Sequence, residues 1–279
     1  MLATLIIVFR EAIEAGLIVG IVLAATKGVP GRGLQVGLGV LAGVLGAAVV
    51  AAFAGGIADA FQGSGQEIFN AAILVLAVAM LTWHVVWMSS HGRAMATEMR
   101  EVGHAVRGGR RPVSVLSVVV GVAVLREGAE VVLFLYGIAV GGGSNWPGMV
   151  AGGLAGVALG AGLSALTYFG LVRLPVRALF AVTGWLVTLL AAGLASQAAG
   201  FLQQGGVIER MDRTMWDSSA ILSQDSLTGR MLHTLIGYTD RPSELQLIVY
   251  VGTLLVILLL SRLTSAPAKA LHGKAAHPR

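Results

Sequence analysis

Residues 5–23, LIIVFREAIEAGLIVGIVL, combine the composition of a membrane-spanning helix with three charged side chains near its middle. A span needs about 20 mainly apolar residues, because the hydrocarbon core is about 30 Å thick. Counted from Leu2 at 1.5 Å per residue, the carboxylates of Glu11 and Glu14 lie roughly 14–18 Å deep, next to Arg10. A charged side chain at the centre of a span costs on the order of 2.5–3.5 kcal/mol on insertion scales. The stretch therefore predicts a membrane helix whose charges need an explanation.

The composition of the whole chain agrees with a membrane protein. Of its 279 residues 56% are hydrophobic and only 12% are charged, and the mean hydropathy is +0.83. The 39 glycines fit the same class, because small residues let transmembrane helices approach closely. The absence of cysteine excludes disulfides, thiolate zinc sites and iron–sulfur clusters. The formal charge of +5 is explained by membrane topology, and no nucleic-acid partner is expected.

Seven segments are long and apolar enough to span a bilayer, so we predict an all-α integral membrane protein with one transmembrane domain over 1–262. The first segment is not a cleavable signal peptide, since it lacks a basic start and carries charge in its apolar region. The predicted spans are 2–26, 34–58, 67–90, 113–140, 147–171, 176–203 and 244–262.

Basic residues are shared unevenly between alternate connections. The connections after the first, third and fifth spans, together with a basic tail at 263–279, hold 13 of the 19 Lys and Arg residues, and the other connections hold four. Cytoplasmic loops of membrane proteins carry an excess of Lys and Arg. We therefore predict a protein of the bacterial inner membrane with its N-terminus outside and its C-terminus in the cytoplasm. Eight carboxylates lie in the outer connections, where they either concentrate cations or are simply hydrated.

The outer segment 204–243 is predicted to form an ordered cap with a short helix. Asp225 or Ser226 can cap the start of this helix, and Gly237 lies near its end. Asp217 and Asp225 are candidates for a second, outer metal site.

The charged stretch recurs as VLREGAEVVLFLYGIAV at 124–140, where Arg126, Glu127 and Glu130 lie 116 residues after their counterparts. A small-residue stripe, Gly39-x₃-Gly43-x₃-Ala47, is likewise repeated as Gly152-x₃-Gly156-x₃-Gly160 at an offset of 113. Repeat one is therefore 1–90, repeat two is 113–203, and the seventh helix is 244–262. Since each repeat contains three spans, the second enters the bilayer from the opposite side, which makes an inverted repeat of the kind that secondary transporters use around a midplane site.

Four carboxylates and two guanidinium groups near the midplane leave a formal charge of −2. Residues three apart share a helix face, so Glu11 with Glu14, and Glu127 with Glu130, can converge between the repeats, with Arg10 and Arg126 as supporting residues. Hard oxygen ligands suit hard cations such as Mg, Ca, Mn or ferric iron. Three interpretations follow: translocation of a cation, proton-linked transport of another substrate, or a structural ion-pair network.

Particular residues carry a resemblance to a known family. REAIE at 10–14 and REGAE at 126–130 resemble the paired REx₂E motifs of the oxidase-dependent iron permease family, which includes the fungal high-affinity iron permease and the bacterial ferrous-iron-uptake permease. MLTWHVVWM at 80–88 resembles the third span of that family, and residues 215–246 resemble the outer segment of its bacterial branch.

The resemblance implies an iron permease, not an enzyme, in which Glu11, Glu14, Glu127 and Glu130 bind iron in transit, with no permanently bound cofactor. It implies ferric iron as the substrate, delivered by an extracytoplasmic partner: a multicopper ferroxidase in fungi, or cupredoxin-containing and haem-peroxidase-like proteins in bacteria. The alternatives are transport of another metal cation such as lead or manganese, and a non-transporting membrane anchor for an oxidase. His84 is either a further ligand or a structural histidine bonded to a neighbour such as Gln197.

Overall fold

The computed structural model describes residues 1–60, 66–140, 146–171 and 176–265, without the side chains of 55–60, 88–93, 176–180, 227, 234 and 265. The predicted tail at 263–279 therefore lies largely outside the described residues. Within these ranges the chain is helical and contains no strand. The helices are α1 Leu2–Ala25, α2 Arg32–Ala60, α3 Gln66–Arg107, α4 Val115–Val140, α5 Trp146–Tyr168, α6 Val176–Gln204, α7 Leu227–Ile236 and α8 Glu244–Ser265.

Five of these helices, α2, α3, α5, α6 and α8, are long and apolar enough to cross a membrane by length and composition. Helices α1 and α4 have 24 and 26 residues, but each carries three charged side chains in its apolar run. The outward faces of α2, α5 and α8 expose Leu, Val and Phe side chains, which is the surface expected where helices meet lipid. These features are those of a multi-pass membrane protein.

Helix α3 is longer than the predicted span of 67–90. It continues without interruption to Arg107 and contains 42 residues. The stretch 91–107 is polar but contains no proline, and the helix ends where Gly109 adopts a φ of 72°. A polar helix can continue in water beyond the bilayer, so the hydrophobic boundary at residue 90 does not mark the end of the helix.

The packing pairs helices from the two halves of the chain. Helix α5 packs along α1, α2 packs along α4, and α3 packs along α6, while α1 and α4 also contact each other and α3. Glycines make the first two contacts close: a Cβ added at Gly156 would lie 2.8 Å from the carbonyl oxygen of Leu5, and one added at Gly43 would lie 2.8 Å from that of Gly121. The glycine stripes thus hold α1 and α4 in place from either side.

Residues 204–243, the predicted outer segment, contain the short helix expected there, α7. Ser226 caps α7, since its hydroxyl accepts a hydrogen bond from the Gly229 N–H at 2.9 Å. Gly237 ends the helix in the left-handed region with a φ of 71°. A Cβ added at Gly193 of α6 would lie 2.5 Å from the Cα of Gly237, so the end of α7 is packed directly against α6.

Candidate metal site between α1, α3 and α4

The charged residues of α1 are almost completely buried. Nε of Arg10 lies 3.0 Å from Oε1 of Glu14, and its NH1 lies 3.8 Å from Oε1 of Glu11. All three side chains are 4% exposed or less. The contact between Arg10 and Glu14 is an ion pair without aligned hydrogen-bond geometry, because Nε and Oε1 have no hydrogen-bond partner within the described ranges. Glu11 is less closely paired than Glu14.

The charged residues of α4 repeat this arrangement in a more open setting. Nε of Arg126 donates a hydrogen bond to Oε1 of Glu130 at 3.2 Å and lies 3.9 Å from Oε1 of Glu127. The guanidinium of Arg126 is 32% exposed and stacks on Trp87 with its central carbon 4.4 Å from the ring centroid. In each motif the Arg pairs with the second Glu and leaves the first Glu less closely paired.

His84 of α3 lies between the two motifs. Its Nε2 is 3.6 Å from Oε2 of Glu14 and 4.0 Å from Oε2 of Glu11, and its Nδ1 contacts Oε2 of Glu130. The ring is 1% exposed, and Phe134 packs edge-on against it with the ring centroids 6.4 Å apart. A single histidine therefore connects the carboxylates of α1 with those of α4.

Glu11, His84, Glu127 and Glu130 can each offer one ligand atom such that all four atoms lie within 4.8 Å of one another. Two ligands on opposite sides of a cation with bonds of about 2.1 Å are separated by about 4.2 Å. Small side-chain movements would therefore bring the four atoms around one ion. Glu14 is outside this group and touches it through His84.

Several atoms of this cluster have unmet hydrogen-bonding capacity. Both carboxylate oxygens of Glu11 and Oε2 of Glu127 are buried and lack a hydrogen-bond partner among the described residues. Leaving a buried polar group unsatisfied costs about 1–3 kcal/mol, and more for a charged group. A bound cation would satisfy these oxygens, which a structural ion-pair network leaves unsatisfied.

The structure places the predicted outer-site residues apart from this cluster. Asp217 is exposed and pairs with Arg241, whose Nε lies 3.0 Å from Oδ2. Its other oxygen accepts hydrogen bonds from the backbone N–H of Ser219 at 3.0 Å and from the Ser219 hydroxyl at 2.5 Å. In the part of the chain that the structure describes, the cluster between α1, α3 and α4 is the one group of three or more His and acidic side chains spaced to share a metal, and it includes neither Asp217 nor Asp225.

The side chains that His84 contacts are the carboxylates of the two motifs and not Gln197. Oε1 of Gln197 is buried and has no hydrogen-bond partner within the described ranges, so the expected bond between His84 and Gln197 is absent there. The signal in the sequence was a lone histidine in the third predicted span, 67–90. Its distance from the carboxylates depends on how α3 packs, which the sequence did not give.

Comparisons with known proteins identify the family of this chain. The model of the iron permease FTR1 family matches residues 1–270. The chain is 31% identical to the ferrous iron permease EfeU of Escherichia coli O157:H7 and to that of Shigella sonnei over 254 residues, which cover 90% of this chain and 91% of each relative. It is 32% identical over 191 residues to the ferrous iron permease EfeU of Shigella flexneri, covering 68% and 80%. No solved structure matches the chain. On the family match and the identity to these permeases, the protein belongs to the iron permease FTR1 family.

Proposed function

We propose that this protein imports iron through a midplane site in which Glu11, Glu127, Glu130 and His84 hold the ion. The observation that carries the proposal is the convergence of these four groups from three helices, three of them buried and Glu130 partly buried, with ligand atoms within 4.8 Å of one another. The family and its ferrous iron permease members support iron uptake across the membrane as the activity.

The remaining charged residues orient the ligands. Arg10 and Arg126 each lie four residues before the second Glu of their motif and hold it by an ion pair. Glu14, held by Arg10 and in contact with Nε2 of His84, is suited to receive the ion from the four-ligand group or to position the imidazole. The two guanidinium groups leave a formal charge of −2 on the four carboxylates, which a cation in transit compensates.

We further propose seven spans arranged as two inverted repeats and a seventh helix. The contact of Gly156 with the carbonyl of Leu5 corresponds to the contact of Gly43 with the carbonyl of Gly121, at the same 2.8 Å. Leu5 and Gly121 differ by 116 residues, as the charged motifs do, and Gly43 and Gly156 differ by 113. The glycine stripe of each repeat contacts the helix that carries the charged motif of the other repeat. A twofold axis that relates the two repeats produces this exchange.

A second pair of contacts supports the same relation. A Cβ added at Gly160 would lie 2.6 Å from that of Ala12, and one added at Gly128 would lie 2.6 Å from that of Ala47. With three spans in each repeat, the axis lies in the membrane plane and the motifs meet at mid-depth. Rocking of one repeat against the other would then expose the carboxylates alternately to each side.

The orientation, the form of iron and the partner are part of the proposal. The excess of Lys and Arg in alternate connections places the N-terminus outside and the C-terminus in the cytoplasm. We expect ferric iron, produced from ferrous iron by an extracytoplasmic oxidase, because three carboxylates of the site are hard ligands. Imidazole suits iron as well, so His84 is compatible with either oxidation state.

Uptake of radiolabelled iron by purified protein in vesicles tests this function. Glu11→Gln and Glu127→Gln keep the shape of each side chain but remove a charged ligand, so we expect uptake to fall to the level of empty vesicles. Glu98→Gln is the matched control, because Glu98 is exposed on the polar end of α3. Ferric and ferrous iron are compared, with manganese and lead as competitors. Uptake equal to that of the unaltered protein in both Gln variants would contradict the proposal and favour a non-transporting anchor.

A further inference from the structure

A cavity of about 420 Å³ lies beside the C-terminal half of α1, between this helix, α5 and the polar end of α3. Its α1 wall is formed by small and aliphatic residues, among them Gly16, Gly20 and Ala24. These lie on the turns of α1 that follow the acidic motif, on the side that faces α5. The cavity is therefore separate from the site between α1, α3 and α4.

The far end of the cavity is polar and basic. Arg100 and His104, one turn apart on the extension of α3, line this end, and both are exposed. Ser164 and Thr167 of α5 add hydroxyl groups. The Ser164 Oγ is buried against α1, where a Cβ added at Gly16 would lie 2.2 Å from it.

Close glycine contacts give the cavity its shape. A Cβ added at Gly103 would lie 2.4 Å from that of Ala25, so the extension of α3 is fixed over the end of α1. At Gly20 an added Cβ would meet only Tyr168, at 4.0 Å, so the missing side chain leaves a channel along α1. The cavity is an apolar channel with a cationic end.

We propose that this cavity binds one anionic phospholipid, with its phosphate at Arg100 and His104 and an acyl chain along Gly16 and Gly20. Basic pockets between membrane helices on the cytoplasmic side are suited to anionic headgroups. The basic end lies at the side of the molecule that holds most of its Lys and Arg residues, which in the proposed topology is the inner leaflet. The guanidinium of Arg100 disfavours a metal cation here, and the apolar wall favours an amphiphile over a soluble anion.

Lipid retention on the purified full-length chain tests the proposal without any measurement of transport, so its failure is distinguishable from failure of the iron site. The protein is exchanged into phosphatidylcholine nanodiscs with or without phosphatidylglycerol, and bound lipid is counted by native mass spectrometry. We expect the unaltered protein to retain one phosphatidylglycerol, and the double variant Arg100→Gln/His104→Gln to bind it about tenfold more weakly, because each lost basic contact near the membrane surface weakens binding several-fold. Gly20→Leu fills the channel without touching a basic group and is expected to abolish retention.

Arg111→Gln is the matched control, because Arg111 is an exposed basic residue of the same connection that does not line the cavity. It is expected to retain the lipid. Equal phosphatidylglycerol retention by the unaltered protein, the double variant and Gly20→Leu would overturn the proposal. Thermal stabilisation by inorganic phosphate equal to that by phosphatidylglycerol would also overturn it, in favour of a soluble anion.

Discussion

Nδ1 of His84 in α3 contacts the carboxylate of Glu130 in α4. The opposite ring nitrogen lies 3.6 Å from Glu14 of α1, which occupies the same position in the first motif as Glu130 does in the second. The two glycine stripes are 113 residues apart, and the residue 113 positions after His84 is Gln197. The carboxylate motif is thus duplicated in the sequence, whereas the imidazole between its two copies has no histidine counterpart at 197.

Replacing His84 is predicted to impair iron transport. His84→Ala removes the one nitrogen ligand of the proposed site and the ring that connects Glu14 with Glu130. We therefore expect iron uptake in vesicles to fall roughly 10–100-fold, the range seen when groups that support a metal site are removed. Gln197→Ala, at the corresponding position of repeat two, is expected to transport at a rate near that of the unaltered protein. A His84→Ala variant that transports equally well would place His84 outside the site.

The two arginines are predicted to differ in their contribution to stability. Removing one partner from a buried ion pair costs about 3–5 kcal/mol, which is the effect expected for Arg10→Gln because Arg10 is 4% exposed. Arg126 is 32% exposed, so Arg126→Gln should cost no more than about 2 kcal/mol, including the loss of its stacking on Trp87. Thermal unfolding in detergent compares the stability of the two variants. An Arg126→Gln variant as unstable as Arg10→Gln, or less stable, would contradict the prediction that the more buried arginine contributes more to stability.

The glycine stripes predict paired effects in the two repeats. Gly156→Ala would place a Cβ 2.8 Å from the backbone of α1, and Gly43→Ala would do the same against α4, so both should destabilise the fold by about 1–3 kcal/mol. Gly162 and Gly37 have no atom within 4 Å of an added Cβ, so Ala there should be neutral or stabilising by at most about 1 kcal/mol. Thermal unfolding of the four variants separates a packing role from general helix propensity. Destabilisation by all four variants alike would argue against close packing at the stripes.

Asp217 is predicted to stabilise the outer segment in a pH-dependent way. Hydrogen bonds from Ser219, with further support from Arg241, lower the pKa of Asp217 from 3.8 to about 2. A carboxyl whose pKa is lowered on folding contributes its stability above its unfolded pKa and loses it as the pH falls through the folded value. Hydrogen exchange over 215–241 should therefore be faster in Asp217→Asn than in the unaltered protein at neutral pH. The difference should stay constant down to about pH 5 and disappear as the pH falls towards about 2.

Asp212→Asn is the control for this measurement, since Asp212 is another exposed acidic residue of the same segment. Its exchange should match that of the unaltered protein. A difference for Asp217→Asn that grows with acidity would show that the carboxylate does not act through these hydrogen bonds. Iron uptake by Asp217→Asn and Asp225→Asn tests the predicted outer site separately.

Most helix positions followed from the sequence because the length of an apolar run is set by bilayer thickness. The predicted start of span six at 176 and the predicted start of span seven at 244 are the observed starts of α6 and α8. The end of α3 did not follow, because hydropathy reports where a helix leaves lipid and not where its hydrogen bonding stops. The turn at Gly109 was the better signal.

The carboxylates could be identified from the repeat, but their coordination could not. Spacing on one helix places Glu11 and Glu14 on one face, and it does not show that Glu11 joins the four-ligand group while Glu14 lies outside it. That difference depends on how α1 packs against α3 and α4, which supply His84, Glu127 and Glu130. His84 lies 18 residues after Gln66, about 27 Å along α3, so counting depth from the start of the helix would place it beyond the midplane.

Equilibrium binding of radiolabelled iron to the purified protein tests the central claim most directly. The account predicts one iron ion per chain, and binding that is lost in the double variant Glu11→Gln/Glu127→Gln while Glu98→Gln binds normally. The Gln side chains conserve volume and remove buried charge, so both variants are expected to stay folded, which thermal unfolding checks. Iron binding of unchanged affinity in a folded Glu11→Gln/Glu127→Gln variant would contradict the assignment of these carboxylates as the metal site.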